Sequence, residues 1–377
     1  MNLTDTSKWF KKFSVFLIFF VLFYYLIIYV IVPFSKDIIS KILPEKNPPT
    51  IAYGILPRLE FTSLPILGEP RYELNTKDGG LPLKLPKKLN VFEIFTKNFT
   101  FDAGLNAQQD ALLMGFNDND LTTDLKGRTY RWKNLITGVN IEIDLDTQKF
   151  LVYSNVQNKS NIYQMGFYSP NRAISQAKNI LRSIRRIDSL YEEGNSTAIP
   201  GRYLNQKLIL TEDSDQAYLY RVDLFRSIDN YPIFGPDAKK GLLHLYIGKD
   251  KNQGSSRSNS TLNIPIAEIY FNEINLSSQA TYPLIPIQQV WNQIKNNRGI
   301  ISSVTPTGYN PFAEYEPVEI EDVLINEIYL GYFENYSDQT YLQPIYIFEG
   351  NYRTSGTQGG DIVIYYPAID GKYISTN

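Results

Sequence analysis

The sequence predicts an α+β protein in which an N-terminal transmembrane helix precedes tandem modules, each built from one helix and an antiparallel sheet. A long uncharged run lies near the N-terminus, and helix-like patterns recur three times after it, each followed by strand-like patterns. The 28 Tyr and 21 Phe residues favour half-buried sheet faces. The predicted segments are a cytoplasmic tail (1–12), a transmembrane helix (13–35), a stalk with a Pro-rich extended segment (36–88), and three modules (89–164, 165–281 and 282–377).

The uncharged run extends from Phe13 to Ser35 and contains 23 residues. About 20 apolar residues cross the hydrocarbon core of a bilayer, so this run is long enough to span it. A cleaved signal peptide has a shorter apolar region that ends at small residues, and this run is bulky to its end. We therefore expect an uncleaved helix inserted in the lipid bilayer.

The orientation of this helix is not decided by charge, because three lysines precede the run and three follow it closely. A large domain translocates largely regardless of charge, so the expected topology is single-pass in the cell membrane. The N-terminus is expected in the cytoplasm and the C-terminal domain outside. The net charge is −2, and the first 36 residues hold four lysines against one aspartate, so the remainder is acidic. Nucleic acid is therefore not an expected partner.

The Pro-rich segment after the stalk contains five prolines between Pro57 and Pro86, interleaved with apolar residues. Proline confines such a chain to extended or edge positions. The apolar content favours an extended chain that lies on the domain as an edge strand over a free linker.

Each of the three modules is assigned one helix. The first helix extends from Leu105 to Gly115 on the spacing of its apolar residues. The second begins after Ser169, which suits the N-cap position, and its apolar stripe continues to Glu193. The third covers 286–297. Runs of alternating or continuous apolar residues after each helix predict the strands.

The last two modules resemble a known family. The residues that carry the resemblance are YPLI at 282–285, a helix with Val290, Trp291 and Ile294, NRG at 297–299, INEIYLGY at 325–332, YLQPIYIFEG at 341–350, and, in the preceding module, RVD at 221–223 and YPIFG at 231–235. They look like the PepSY-like modules of membrane-anchored bacterial regulators of the YycH and YycI type, over roughly residues 165–368. Arg298, between Asn297 and Gly299, departs from that pattern. The resemblance implies a fold, a single-helix topology and, by analogy, a sensor kinase as partner.

The composition argues against an enzyme. The chain has no Cys and one His, which excludes thiolate nucleophiles, Cys-ligated metals and multi-histidine sites. No nucleophile elbow, zinc-protease, P-loop or dinucleotide motif is present. The sequence therefore predicts a membrane-anchored, extracytoplasmic, non-enzymatic binding or regulatory protein. It would need no cofactor and would act on a membrane or envelope protein such as a sensor or a protease; its oligomeric state stays open.

Two other functions stay open. The acidic run between Glu314 and Glu327 could supply two carboxylates for the hydrolysis of an envelope glycan. A structural subunit of a surface assembly or secretion apparatus would instead present a broad apolar or aromatic patch.

Three sets of side chains are candidates for a site. Calcium would suit the oxygen ligands of Asp118, Asp120 and Asp124, but the spacing lacks the glycine and late glutamate of an EF-hand, so a solvated turn is favoured. His244 is expected to be a strand histidine with a hydrogen bond rather than a catalytic base. The third set is a candidate interaction surface, although ordinary cross-strand packing is the favoured interpretation of its aromatic residues. Its members are Tyr329, Tyr332, Tyr346 and Phe348.

Overall fold

In the computed structural model, most of the regular secondary structure is β-strand. The structure describes residues 16–17, 20–21, 23–25, 29, 47–95, 100–122, 128–135, 138–147, 149–156, 162–166, 169–249, 262–355 and 359–376. From residue 51 onward, these residues form eighteen strands in two nine-stranded sheets, together with four short α-helices. Ile51–Asn377 is one compact unit.

The strands contain many β-branched and aromatic residues, which favour this conformation. In chain order they are β1 (Arg71–Leu74), β2 (Lys88–Ile94), β3 (Thr129–Lys133), β4 (Asn140–Asp144), β5 (Phe150–Tyr153), β6 (Ser196–Leu204), β7 (Lys207–Leu210), β8 (Leu219–Leu224), β9 (Arg226–Ile228), β10 (Tyr231–Phe234), β11 (Leu243–Lys249), β12 (Leu262–Asn263), β13 (Ala267–Ile269), β14 (Ile274–Pro283), β15 (Ile300–Pro306), β16 (Asp322–Phe333), β17 (Tyr341–Arg353) and β18 (Gly360–Pro367).

The helices are α1 (Ala103–Leu113), α2 (Pro170–Ser183), α3 (Ser189–Glu193) and α4 (Ile287–Lys295). Helix α2 begins as the sequence predicts, because the Ser169 hydroxyl accepts a hydrogen bond from the Arg172 N–H at 3.3 Å. It ends ten residues before the predicted end at Glu193. Arg185 adopts a left-handed conformation with φ of 55°, which turns the chain before α3.

Sheet one has the order β14-β2-β17-β16-β10-β9, with β18 beside β17, β15 beside β18 and β1 beside β16. β16 pairs with β17 from its first residue to its last, antiparallel. The opposite edge of β16 pairs with two strands, both parallel to it: β1 near its start and β10 near its end. This edge positions the site described below.

Sheet two has the order β3-β4-β5-β13-β11-β8-β6-β7, with β12 beside β11. Its apolar face is covered by α1 and α2, which contribute Ala107, Ala111, Ala173 and Leu181 to the core. One face of sheet one forms a second core with Val290 and Trp291 of α4.

These sheets correct the predicted fold class. The tandem helix-plus-sheet modules are wrong, because strands from the first and second predicted modules share sheet two. Sheet one contains β1 of the Pro-rich segment together with strands from each of the three predicted modules. Sequence patterns indicate where strands occur but not which strands pair. The prediction assigned neighbouring strands to the same sheet, and the protein does not have those separate sheets.

The predicted membrane-spanning helix is also wrong. Among the described residues, no helix is long and apolar enough to cross a bilayer. This finding contradicts the signal anchor, the single-pass topology and the predicted localisation, all of which depended on the length and hydropathy of one run. Of the run from Phe13 to Ser35, only 16–17, 20–21, 23–25 and 29 are described. The predicted tail and stalk residues 1–12 and 36–46 lie outside the described residues.

The Pro-rich segment packs on the β-structure. Leu56 is fully buried in the core of sheet one, and its N–H and C=O bond to the backbone at Tyr373 and Ser375. β1 pairs with β16 through Arg71 opposite Asp322, across a separation of 251 residues. The segment is therefore part of the domain.

Candidate binding groove

A groove of about 530 Å³ lies on β16 and β17, beside the start of β10 and the chain between β1 and β2. We refer to it as the β16 groove. It is lined by Lys84, Leu85, Pro86, Asn230, Tyr231, Pro232, Glu327, Tyr329, Leu330 and Glu349.

The floor of the groove is built by cross-strand neighbours. Glu327 of β16 lies directly opposite Glu349 of β17, and Tyr329 follows two residues later. Residues at this spacing project from the same face of the sheet. Glu327 is exposed, whereas Glu349 and Tyr329 are half-buried. Two carboxylates and one aromatic ring therefore converge on one side of the groove.

A short hydrogen bond holds the ring in place. The Tyr329 hydroxyl donates to Glu349 Oε1 at 2.6 Å. Burial and then the hydrogen bond to Glu349 raise the pKa of Tyr329 above its ordinary value, so the hydroxyl stays protonated. The ring is thus a fixed, uncharged surface beside the two carboxylates.

The walls come from two turns of chain. On one side, Ile228 pairs with Tyr231, and the two residues between them, Asp229 and Asn230, both have positive φ (51° and 65°). This is the type I′ conformation that closes a tight hairpin, and Asp and Asn tolerate it best after glycine. It presents Tyr231 to the groove. The other wall is Lys84 to Pro86, between β1 and β2.

The predicted aromatic surface divides between core and groove. Tyr332, Tyr346 and Phe348 are buried, at 0%, 2% and 0% exposure. Tyr332 and Tyr346 donate their hydroxyl hydrogens to the backbone oxygens of Asn90 and Ile285. These three side chains pack across strands inside the core of sheet one. Of the four predicted residues, Tyr329 alone reaches the groove.

The acidic run likewise contributes a single residue to the groove, Glu327. Its partner, Glu349, was not singled out from the sequence. It lies in β17 at the point where continuous burial ends and alternation begins, with Glu349, Asn351 and Arg353 more exposed than Gly350 and Tyr352. A carboxylate directly after the apolar run that ends at Phe348 was the available signal.

His244 belongs to a closed polar cluster. Its Nδ1 lies 2.9 Å from Asp223 Oδ1, and the Arg221 guanidinium donates to Asp223 Oδ2 at 2.9 Å. The Gly241 N–H also donates to Asp223 Oδ1, at 3.0 Å. Burial lowers the pKa of His244, although Asp223 opposes the shift. Burial alone would raise the pKa of Asp223, but His244 and Arg221 lower it below its usual range. The prediction of a hydrogen-bonded strand histidine is confirmed.

The predicted calcium ligands are only partly described. Asp118 and Asp120 lie in a single 3-10 turn, where Asp118 accepts a hydrogen bond from Gln108 at 2.7 Å and Asp120 accepts one from the Asn117 N–H at 2.9 Å. Asp124 lies outside the described residues. In the part of the chain that the structure describes, no three His, Cys, Asp or Glu side chains group as metal ligands would.

Comparisons with known proteins add little to this geometry. No family model matches the chain, and no curated protein matches it. A solved structure that is similar to it is the crystal structure of an uncharacterized protein from Eubacterium rectale, at 13% sequence identity and a TM-score of 0.41. The match covers 76% of this chain and 85% of the other.

Proposed function

We propose that this protein is a non-enzymatic binding protein and that the β16 groove takes a segment of a partner protein. The observation that carries the proposal is the convergence of Glu327, Glu349 and Tyr329 at the floor of the β16 groove. Aromatic rings fixed by packing are frequent anchors in protein interfaces. Exposed carboxylates at the rim select the charge of the partner.

The buried cluster around Asp223 supports this choice because its members are paired internally. Asp223 is occupied by His244, Arg221 and a backbone N–H. By contrast, Glu327 has no ion-pair partner among the described residues, and Tyr329 and Glu349 remain partly accessible. Such binding would serve the regulation of a sensor kinase, which the resemblance to PepSY-like regulators implies, or the restraint of an envelope protease.

Selection of ligands from a displayed library of random short peptides, with the full-length chain as target, tests this proposal. Enriched peptides are then measured by calorimetry against two matched variants. Tyr329→Ala removes the groove tyrosine, and Tyr153→Ala removes a tyrosine of sheet two that is 41% exposed and donates to Glu142 in the same way, at 3.0 Å.

The expected result is that Tyr329→Ala weakens binding about tenfold or more, a loss of about 1.4 kcal/mol. Tyr153→Ala is expected to leave it unchanged. Peptides that bind both variants as well as they bind the wild-type chain, or a selection without enrichment, would overturn the proposal.

A second candidate function is hydrolysis of a glycan, favoured by the direct opposition of Glu327 and Glu349. Opposed residues of an antiparallel pair have Cβ atoms about 4.5–5.5 Å apart, which is within reach of the spacing used by two-carboxylate glycosidases. Release of reducing ends from peptidoglycan or chitin oligosaccharides by the wild-type chain, lost in Glu349→Gln but kept in Glu142→Gln, would support it. No release by the wild-type chain would end this alternative.

A further inference from the structure

A cavity of about 200 Å³ lies between helix α1, the end of β4 and the turn that follows helix α2. We refer to it as the Asp110 cavity. Its lining includes Asn106 and Asp110 of α1 together with Arg185 and Arg186 of the turn. The volume exceeds the share of one water molecule, about 30 Å³, and is smaller than the roughly 300–1,000 Å³ of sites for drug-sized ligands. The cavity therefore has room for a small molecule.

Helix α1 leaves this space because its buried face carries short side chains. Ala103, Ala107 and Asp110 lie three or four residues apart and so share one face of the helix. Asp110 is 1% exposed, and its Oδ1 accepts no hydrogen bond. Among the described residues, it is the single buried carboxylate oxygen in this condition. Buried polar atoms are normally hydrogen-bonded, so this oxygen indicates that a group is to be accommodated in the cavity.

Helix α2 ends in a left-handed turn that supplies the two arginines. The Arg185 N–H donates to the Arg182 oxygen at 3.0 Å, and the Arg186 N–H donates to the Leu181 oxygen at 2.8 Å. In this helix ending, the Schellman motif, the residue with positive φ is usually glycine. Here it is Arg185, with φ of 55°. A long charged side chain therefore stands where glycine would fold most easily, and it lines the cavity.

Both arginines approach Asp110 without forming a close ion pair. Arg185 lies 3.8 Å from Oδ1 and Arg186 lies 3.5 Å from Oδ2, whereas charged hydrogen bonds close to about 2.7–2.9 Å. The Nε of Arg186 is also buried and has no hydrogen-bond partner among the described residues. Burial raises the pKa of Asp110 and lowers the pKa of Arg186, so attraction between the two does not outweigh burial. In the close pair of Arg221 and Asp223 it does, because the pKa of Arg221 is raised.

The chemistry of the lining selects the kind of ligand. Asp110 offers a buried acceptor, Arg186 offers a buried donor, and the guanidinium of Arg185, 65% exposed, lies at the rim. A metal ion is disfavoured by two guanidinium groups, and an inorganic anion would meet the carboxylate of Asp110. A molecule that carries an ammonium and a carboxylate group satisfies both signs of charge at once.

We infer that the Asp110 cavity binds a free α-amino acid, with the ammonium group on Asp110 and the carboxylate on Arg185 and Arg186. Its residues are separate from those of the β16 groove. The inference therefore does not rest on the proposed function, and either can fail without the other.

Calorimetric titration of the full-length chain with each standard amino acid tests this inference. We expect at least one of them to bind saturably at millimolar concentration or below. Its N-acetylated and amidated forms, which lack one of the two charges, should bind about tenfold or more weakly. Tyr329→Ala, in the β16 groove, should leave this binding unchanged. No saturable binding by any standard amino acid, or equal binding of either blocked form, would overturn the inference.

Arg185→Gly separates binding from folding. Glycine suits the left-handed turn, so the unfolding midpoint should stay the same or rise, while amino-acid binding should weaken about tenfold or more. Asn297→Gly is the matched control, because Asn297 has φ of 56° at the same position of the Schellman motif that ends helix α4. It should leave binding unchanged. Undiminished binding in Arg185→Gly would contradict the inference.

Asp110→Asn tests the ammonium contact through a change of specificity. It should weaken binding of the amino acid about tenfold or more and strengthen binding of the N-acetylated form, because the carboxylate that repels an anion is gone. A purely structural role of Asp110 would change the affinities for both forms alike, and that result would overturn the assignment of the ammonium to Asp110.

Discussion

The guanidinium of Arg226 and the carboxylate of Glu334 form an ion pair of 2.7 Å in which both side chains are almost completely buried, at 1% and 0% exposure. Arg226 belongs to β9, and Glu334 follows β16 directly. Arg226 also pairs with Asp188 at 2.9 Å, and its guanidinium lies 4.6 Å from the centre of the Tyr191 ring. Burial lowers the pKa of Arg226, but Glu334, Tyr191 and Asp188 together raise it above its ordinary value. Arg226 therefore connects the end of β16, through Glu334, to the start of helix α3, through Asp188.

Removal of one partner of this pair is expected to be costly. Glu334→Ala leaves the Arg226 charge buried without its nearest anion, and the free energy of unfolding should fall by about 3–5 kcal/mol. The exposed pair of Arg128 and Asp146 is the control, because its side chains are 57% and 46% exposed. Asp146→Ala should cost less than about 1 kcal/mol. Chemical denaturation measures both, and equal losses would contradict the prediction.

The stability of the protein should depend on His244 between about pH 7 and pH 5. The folded pKa of His244 is lowered by burial, below the unfolded value of about 6.5. The unfolded chain therefore binds more protons in this range, so the stability contributed by the neutral ring is present above the unfolded pKa. It is lost as the pH falls towards the folded value.

The test of this pH dependence is a comparison of wild-type protein with His244→Gln. His244 is the single histidine of the chain, so the wild type should lose up to about 1.4 kcal/mol per pH unit more than the variant. Buried carboxyl groups with raised pKa, such as Asp237, contribute equally to both proteins and cancel in the difference. Parallel stability curves for the two proteins would show that His244 titrates normally.

Local signals predicted the helices better than the sheets. Ser169 and Pro170 fixed the start of α2, because capping depends on adjacent residues. The apolar spacing continues through Ile187 and Leu190, so the sequence gives no warning of the left-handed turn at Arg185. Local sequence patterns did not predict strand pairing, because β1 pairs with a strand 251 residues away.

The residues of the candidate site were likewise predicted only in part from local sequence patterns. Tyr329 and Tyr332 are close in sequence and equally aromatic, yet one lines the β16 groove and the other is buried. The difference comes from the face of β16 from which each side chain projects and from what covers that face. Period-two patterns reveal such faces when one side is wet, as in β16 as far as Leu330. The last four residues of β16 and most of β17 are buried on both sides, so the pattern is lost at Tyr332.

Helix α4 should contribute to stability mainly through Trp291. Its ring stacks on Phe348 with 6.2 Å between ring centres, and the residue is 6% exposed. Trp291→Ala should lower the free energy of unfolding by about 3–5 kcal/mol, because a large cavity is left against sheet one. Leu83→Ala is the control, since Leu83 is 99% exposed, and it should change stability by less than about 0.5 kcal/mol. A small loss for Trp291→Ala in denaturant titrations would mean that α4 is not docked as described.

Gly350 should control the β-bulge that precedes the groove. The pairing of β16 with β17 shifts between Ile325 and Glu327, opposite Gly350, and a Cβ at Gly350 would overlap the backbone oxygen of Leu324. Gly350→Ala is therefore expected to cost about 1–3 kcal/mol of stability. Gly80→Ala, where a Cβ meets no atom within 4 Å, is the control. The bulge shifts by one residue which backbone groups of β16 face β17, so it sets which amides of β16 are bonded to β17. Gly350→Ala should consequently change the exchange of the Ile328 amide as well as the unfolding midpoint, and a change in stability alone would show that the bulge does not set the register of the groove.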